Sequence, residues 1–370
     1  MIHSRRCQIR GLNVVRGRAS MGVKIVMGRC RSRLSEKMPL HLVWSLTNAC
    51  NVRCIHCCAS SARRSPGELS RQEVLKGIDE CARDGLLDLA LSGGEPLLVR
   101  DLEFIVEHAA SVGLTVGVGT GGWALTARRA RNLASAGISR VQVSLDGLAE
   151  AHDRIRKREG LFNRAHRAIE NSRSVNIKTR ACSADRRGNV NEMGQVFEFC
   201  RSAGVDGLNL SQLVPAGRGD RSMDLLPEQW RDVLLWWNEM RLKFLEIRMT
   251  EHLAQLVLVA PNLVLKPQFR GCQAGQSQGA ISPTGEVFPC VVLPHALGNI
   301  RVKSLREMWN TSPELMRLRD RSRLLGHAAP AKSGISAEAV VQPHMHLRIV
   351  LCPLIVAAGH RMLARNHEDA

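Results

Sequence analysis

The sequence predicts an α/β protein that consists of an open, partial (β/α)6 barrel of the TIM-like type and a smaller extension. From residue 41 to about 215, a short apolar strand, a turn and an amphipathic helix recur six times. Strands that alternate with helices pair in parallel through crossover connections. Polar or glycine-rich segments follow the strands, at the end where parallel barrels carry their chemistry. A chain of 370 residues is long enough for such a domain and a second, smaller one.

The individual elements follow from apolar runs and amphipathic periodicity. The six predicted strands are His41–Thr47, Leu87–Ser92, Thr115–Thr120, Arg140–Leu145, Asn176–Ala181 and Gly207–Val214. Helices are predicted between them, for example over Arg71–Asp84 and Leu102–Val112, and a later helical stretch covers Pro227–Met249. The predicted parts of the chain are a disordered basic arm (1–37), the barrel (38–245), an extension (246–325) and a disordered tail (326–370).

The charge of the chain is concentrated near its start. The formal net charge is +18, and residues 1–37 contain ten Lys or Arg residues against one acidic residue, Glu36. Half of the excess therefore lies in one tenth of the chain, which argues against nucleic acid as a partner of the folded part. No apolar run is long enough to cross a membrane and no secretory signal is present, so we expect a cytoplasmic protein without a membrane partner. In a reducing compartment, the twelve cysteines are expected to be ligands or buried thiols.

Three cysteines follow the first predicted strand. Cys50, Cys54 and Cys57 lie within eight residues. Three thiolates on one loop can bind three irons of a [4Fe–4S] cluster, which takes four ligands, and leave one iron open to a small molecule. Structural zinc is an alternative, but it takes four closed ligands, usually from two separated pairs. A chance grouping of buried thiols is a second alternative. Cys58 is interpreted as a thiol of the pocket and not as a ligand.

This cysteine spacing at the end of a first barrel strand resembles that of the radical S-adenosylmethionine (SAM) enzymes. The resemblance covers residues 39 to about 325 and implies a radical SAM barrel. It implies that Cys50, Cys54 and Cys57 hold a [4Fe–4S] cluster, which cleaves SAM to a 5′-deoxyadenosyl radical that abstracts hydrogen from the substrate. His56 occupies a position where relatives usually carry an aromatic residue, often Tyr, and this chain contains no Tyr.

Two further segments resemble parts of the family that bind SAM. Gly93, Gly94 and Glu95 end the second strand, and the resemblance implies that they bind the methionyl amino group. Ser144 and Asp146 end the fourth strand in a Ser-Leu-Asp-Gly sequence, where the polar side chains of the family face the SAM ribose. A solvated turn is the alternative interpretation of the first segment.

Other segments resemble the family less closely. Thr120–Gly122 stands where family members often have Thr-Asn-Gly, so no contact is inferred for Gly121. His152–Arg154 also matches relatives, but a helix start with surface charges explains it nearly as well. Pro215–Gly219 resembles the loop that lies by the adenine. Arg180 and Cys182 face the substrate or the opposite side of the fifth strand, depending on its register.

The extension resembles the SPASM type, which houses auxiliary iron–sulfur clusters in enzymes that mature peptides. Cys272 and Cys290 are the expected auxiliary ligands, and the resemblance continues through Trp309. It stops at about Gly326, after which the family's remaining cysteines are missing and Cys352 is the one cysteine present. The shifted reading frame over 327–346 permits the sequence C-x-x-C-E-V-R-D-I-C-G-G-C. We therefore expect an incomplete SPASM-like extension and a frameshifted tail, with the auxiliary cluster present in an intact form.

The resemblance favours maturation of a peptide or protein side chain, because the SPASM-like extension is typical of peptide-maturing enzymes. Modification of a tetrapyrrole side chain in the haem pathway is the alternative, since such relatives share the barrel and much of the extension. A remnant that binds SAM and a cluster without turnover is a third hypothesis. The expected partners are a flavodoxin- or ferredoxin-like electron donor and a peptide or small-molecule substrate.

Overall fold

The computed structural model describes residues 38–185, 187–213, 215–251, 259–260, 273–293 and 295–320. The residues it describes form one ten-stranded sheet. Its strands are β1 (His41–Ser45), β2 (Asp88–Ser92), β3 (Thr115–Thr120), β4 (Arg140–Ser144), β5 (Lys178–Asp185), β6 (Gly207–Gln212), β7 (Arg248–Glu251), β8 (Gln278–Ile281), β9 (Glu286–Phe288) and β10 (Gly298–Asn299). Strands β1 to β7 are neighbours in chain order and run parallel. Strand β8 lies parallel to β1 on its other side, and β9 and β10 follow antiparallel.

Helices connect the parallel strands and cover the outside of the sheet. They are α1 (Arg71–Asp84), α2 (Leu102–Ser111), α3 (Ala127–Ser135), α4 (Ala149–Arg156), α5 (Leu161–Arg173), α6 (Met193–Ser202), α7 (Pro227–Lys243), α8 (Leu305–Thr311) and α9 (Pro313–Arg319). Each helix of the barrel lies between two consecutive parallel strands, as crossover connections require. This arrangement is the mixed α/β, partial-barrel fold that the sequence predicts.

The first helix illustrates why the predicted boundaries hold. Ser70 and Glu73 form a capping box at the start of α1, and Gly85 ends it with a left-handed backbone at φ 109°. Val74, Ile78 and Cys81 recur on one buried face. The same helix packs closely on the sheet at Gly77, because a Cβ there would lie 2.6 Å from the ring of Trp44.

Alternation along the strands separates an outer from an inner face. In β1, the buried Leu42 and Trp44 belong to the hydrophobic core. His41, Val43 and Ser45 are half-buried and lie on the opposite, inner face. Strands β2 and β4 show the same alternation. The core therefore lies between sheet and helices, and the inner face is left for a ligand.

The structure confirms the six predicted strands and corrects two boundaries. The strand predicted from Asn176 begins at Lys178 and continues to Asp185, because Asn176 has a left-handed backbone (φ 60°) that a strand cannot contain. The helix predicted to reach Met249 ends at Lys243. Residues 248–251 instead form β7, whose backbone pairs with β6 and so satisfies its hydrogen-bonding groups.

The extension adds strands and helices to one edge of the barrel. Its β8 pairs with β1, and Arg301 donates to the carboxylate of Glu73 on α1 through Nε (2.5 Å) and Nη2 (3.2 Å). Cys272, Cys352, the predicted arm and the predicted tail lie outside the described residues. Within the described part of the chain, no helix has the length and apolar character needed to span a membrane.

Candidate active site at the carboxyl ends of the strands

The three predicted ligand cysteines lie on the loop that follows β1. Its backbone is fixed to two neighbouring segments: Cys50 N donates to Ala62 O (3.1 Å), and Ile55 N donates to Ile155 O (3.0 Å) at the end of α4. Cys54 is buried in a small apolar cluster with Val52 and Leu161, against which Cys50, Cys57 and Trp123 pack. The fold thus gathers the three thiols in one place, outside the main core.

The chemistry of this group fits a [4Fe–4S] cluster. Burial raises the pKa of the Cys50 and Cys54 thiols, and the guanidinium of Arg156 opposes that shift at Cys54. Among the described residues, no three Cys, His, Asp or Glu side chains converge on a single-ion site. A cubane does not need such convergence, because each thiolate binds a different iron. The expectation that these cysteines are the ligands stays a prediction.

The segment after β6 lies against the cysteine loop. Arg218 N donates to Cys57 O (2.9 Å), and its side chain donates to Cys54 O (2.9 Å) and Ser61 O (3.1 Å). Gly217 precedes it with φ 59°, and a Cβ at this position would lie 2.4 Å from Cys57 O. The Gly217–Arg218 segment therefore holds the loop through its carbonyl groups. The family resemblance implies that this segment also lies beside the adenine of SAM, and that stays a prediction.

The two glycines after β2 allow a second close approach to the loop. Gly94 N donates to Thr47 O (2.7 Å) and Glu95 N donates to Ala49 O (2.8 Å). A Cβ on Gly93 would lie 2.4 Å from Thr47 O, and one on Gly94 would lie 2.2 Å from Ala49 O. Glycine is therefore required here by backbone packing, in addition to any contact with a ligand.

Glu95 is buried, with 2% of its surface exposed. Its carboxylate accepts hydrogen bonds from Leu97 N (3.1 Å), Thr120 Oγ1 (2.8 Å) and Gly121 N (2.9 Å). Burial raises the pKa of this carboxyl group, while those three donors oppose the shift. The glycine at 121 leaves room for a small group: a Cβ there would lie at ordinary contact distance, 3.5 Å from Glu95 Oε2 and 3.9 Å from Arg156 Nη1.

Asp146 is the centre of a buried polar network. Its Oδ2 accepts from Arg156 Nε (2.7 Å) and its Oδ1 accepts from Ala184 N (3.0 Å). His56 Nε2 lies 3.5 Å from the same Oδ2. The side chain is fully buried, whereas Ser144 on β4 is half-buried and lies on the inner face. Their predicted approach to the ribose is untested, and the structure gives Asp146 an additional structural role.

Arg156 is the principal site residue that sequence reasoning missed. It is buried beneath the cysteine loop, pairs with Asp146 and acts electrostatically on Cys54. It follows His152 by one helical turn on the same face of α4, and His152 Nδ1 accepts from Asp146 N (3.0 Å). The spacing of one helical turn from His152 could have indicated that Arg156 shares its buried face. Arg156 lies among other charged residues, however, so the sequence does not show that it is buried.

The remaining candidate residues differ in their burial and in the face of the barrel on which they lie. Asp153 accepts from Phe162 N (2.8 Å) at the start of α5 and Arg154 is exposed, whereas His152 is fully buried, so the interpretation as surface charges holds for Arg154 and is wrong for His152. Arg180 and Cys182 share the inner face of β5, where Asn209 Nδ2 lies 3.5 Å from Cys182 Sγ. Cys290 is half-buried, with Gln278 Nε2 at 3.8 Å from its Sγ.

Comparison with known proteins identifies two family domains. Residues 44–200 match the model of the radical SAM superfamily, and residues 272–329 match SPASM, an iron–sulfur cluster-binding domain. The chain is 33% identical over 303 residues to the AdoMet-dependent heme synthase of Methanosarcina barkeri, which covers 78% of this chain and 87% of that protein. It is 32% identical over 295 residues to the mycofactocin maturase MftC of Mycolicibacterium smegmatis, covering 76% and 73% of the two chains.

Two solved structures share the fold. Streptococcus suis SuiB bound to S-adenosylmethionine has a TM-score of 0.64 at 15% identity, covering 83% of this chain and 75% of SuiB. The enzyme anSMEcpe with bound AdoMet has a TM-score of 0.62 at 18% identity, covering 78% and 84% of the two chains. At these identities the likeness extends to the fold alone.

Proposed function

The chain belongs to the radical SAM superfamily, and we propose that it cleaves SAM reductively and abstracts a hydrogen atom from a side chain of its substrate. The family is one of enzymes whose cofactors are a [4Fe–4S] cluster and SAM. The observation that carries the proposal is the grouping of Cys50, Cys54 and Cys57 on one loop, beside the buried Glu95 and Asp146. When bound, the cluster and SAM supply a 5′-deoxyadenosyl radical.

The residues of the chain hold and shield this chemistry. The cysteine thiolates bind the cluster, and the Gly217–Arg218 segment keeps their loop in position. Glu95 accepts the methionyl ammonium at the space above Gly121, since a buried carboxylate favours a cation. The inner face of the barrel keeps water and stray hydrogen donors away from the reacting atoms. A flavodoxin- or ferredoxin-like protein supplies the electron.

Two substrate classes are candidates. A peptide or protein side chain is supported by the SPASM domain and by the similarity to a mycofactocin maturase. A tetrapyrrole side chain is supported by the similarity to an AdoMet-dependent heme synthase, which is matched over a larger share of its own length. The tetrapyrrole is therefore the substrate to test first. An auxiliary cluster at Cys272 and Cys290 belongs to this proposal in an intact form of the extension.

The cluster assignment is tested by anaerobic reconstitution of a Cys50→Ala, Cys54→Ala, Cys57→Ala triple variant. We expect the variant to lose the thiolate-to-iron charge-transfer absorption of the cluster and the formation of 5′-deoxyadenosine from SAM with dithionite as reductant. Cys58→Ala is the matched control and should retain both, because Cys58 is an exposed neighbour that is not assigned as a ligand. A triple variant that binds the same iron and still cleaves SAM would refute the assignment.

The substrate class is tested by isotope transfer. Two compounds are deuterated in their side chains: an iron coproporphyrin, and a synthetic copy of a precursor peptide that is encoded beside the gene. Each compound is then incubated with the reconstituted protein. Deuterium should appear in 5′-deoxyadenosine with the true substrate, because the abstracted atom moves to that product. Cleavage of SAM without transfer from either compound would exclude these two compounds as substrates and favour the remnant hypothesis.

A further inference from the structure

The loop that carries the three cysteines is covered on one side by a basic surface with a tryptophan at its centre. We propose that this surface, formed by Arg158 and Arg164 over the ring of Trp123 and by Arg53 and Lys157 next to the end of α4, docks an acidic one-electron carrier protein. The inference rests on the proposed function, because the carrier passes one electron to the cluster held by the cysteine loop. In that step the reduced flavin or iron–sulfur centre of the carrier is oxidised by one electron and the cluster is reduced by one.

Two arginines of this surface bind the backbone of the cysteine loop. Arg158 Nη1 donates to Asn51 O at 2.5 Å. Arg53 Nη1 donates to Cys50 O at 2.8 Å and to Val52 O at 2.9 Å. These guanidinium groups therefore contact the backbone of the predicted ligand residue Cys50 or of its immediate neighbours. A protein bound to these arginines would be separated from the predicted cluster site by about one layer of backbone atoms.

Trp123 links the arginines of this surface to the cysteine loop. Its ring packs on the apolar cluster of Val52, Cys54 and Leu161, and the side chain is half-buried. The guanidinium of Arg158 stacks 3.5 Å from the centre of the ring, and that of Arg164 lies at 5.0 Å. A continuous series of packed groups thus connects the surface with the cysteines. Such packing keeps the path from the surface to the cysteines short, which favours transfer of an electron.

The positive charges of this surface are not balanced by ion pairs within the described part of the chain. Arg53, Lys157 and Arg164 are exposed, and none of them forms an ion pair with another residue that the structure describes. The neighbouring Arg154 differs, since it lies 3.7 Å from Glu150. Unpaired cations on one surface attract an acidic partner and accelerate its encounter.

Nucleic acid is the other macromolecule that a basic patch can bind. The location over the cysteine loop and the central aromatic ring favour the electron carrier, and half of the chain's excess charge lies in residues 1–37 instead. The experiment below therefore includes an RNA hairpin as a competitor.

The surface is tested by reversing two charges that do not touch the cysteine loop. A Lys157→Glu, Arg164→Glu variant of the reconstituted protein is compared with an Arg83→Glu, Lys243→Glu control. The control changes the net charge equally, at the last turns of α1 and α7, the helix ends opposite the cysteine loop. Affinity for a purified acidic flavodoxin is measured by calorimetry over a salt series. We expect the first variant to bind at least about tenfold more weakly, with a flatter salt dependence, and the control to bind like the wild type.

Dithionite separates this proposal from the proposed function, because it reduces the cluster without docking. With dithionite as reductant, both variants should form 5′-deoxyadenosine at the wild-type rate. With reduced flavodoxin as reductant, the first variant should form it more slowly than the wild type and the control. Equal flavodoxin binding by the two variants would overturn the docking surface while leaving the function intact. Failure of the wild type with dithionite would overturn the function itself. A third outcome would also overturn the proposal. If the RNA hairpin displaces flavodoxin, binds more tightly than flavodoxin does, and loses its binding in the first variant, the patch is a nucleic-acid site.

Discussion

Gly217 offers a sharp test of how the cysteine loop is held. In a Gly217→Ala variant, the new methyl group would lie 2.4 Å from both Cys57 O and Cys58 O, which are backbone atoms that cannot rotate away. The left-handed backbone at φ 59° costs about 1–2 kcal/mol for a residue with a Cβ. Overpacking against the loop costs about 1–3 kcal/mol more. The free energy of unfolding should therefore fall by about 2–5 kcal/mol, and iron content after reconstitution should fall with it.

Gly67→Ala is the matched control. Gly67 also has a left-handed backbone, at φ 72°, but a Cβ there would meet no atom within 4 Å. The control should thus carry the backbone cost of about 1–2 kcal/mol without the clash, and bind iron normally. Urea unfolding and iron analysis of both variants supply the comparison. Equal losses of stability and full iron content in both would refute the view that the Gly217–Arg218 segment fixes the cysteine loop.

Three further predictions follow from the site and its supports. Glu95→Ala should weaken SAM binding about ten- to a hundredfold with iron content nearly unchanged, as measured by equilibrium dialysis; unchanged affinity would place this carboxylate outside the site. Arg156→Gln should destabilise the fold by about 3–5 kcal/mol, because the buried carboxylate of Asp146 would lose the guanidinium that balances its charge, and a second change to Asn at 146 should recover part of that loss in urea unfolding. Hydrogen bonds from Arg301, together with those from Ser70 N and Oγ, lower the pKa of Glu73 to about 2 from 4.5, so their stabilising effect is present above the ordinary pKa and is lost as the pH falls toward the lowered one. Arg301→Gln should reduce this acid-side loss in the pH dependence of unfolding, with the part due to Ser70 retained, and an unaltered profile would contradict the assignment to Arg301.

The sequence predicts the barrel well because its signals are local. The alternation in β1 and β4 and the capping box of α1 lie within a few residues, and the structure retains them. The edge strand β7 escapes prediction because its pairing with β6 depends on a contact between distant segments. The missed left-handed turn at Asn176 also depends on tertiary context, since Asn is compatible with both conformations.

The site is less predictable than the fold because motifs mark residues but not their partners. The glycines at 93 and 94 were assigned to a ligand, and the structure adds that their backbone packs on Thr47 and Ala49. Arg156 lies in a helix rich in charged residues, and nothing in that pattern distinguishes the buried guanidinium from the exposed one of Arg154. Burial is decided by which helix face meets the cysteine loop, which is a property of the assembled barrel.

The buried charges around the loop suggest why the site favours a cationic ligand. Glu95 and Asp146 are both buried carboxylates, and Arg156 is the buried guanidinium that pairs with Asp146. The carboxylate of Glu95 accepts hydrogen bonds from neutral donors, and the guanidinium of Arg156, which pairs with Asp146, also opposes the rise of its pKa. Arg156 thus acts on two buried carboxylates, which leaves an excess of one negative charge among these three groups, and a buried excess charge is costly until an opposite charge arrives. An ammonium group in the space above Gly121 would supply that charge, which is why we assign Glu95 to the methionyl end of SAM and leave Asp146 the role of holding Arg156 beneath Cys54.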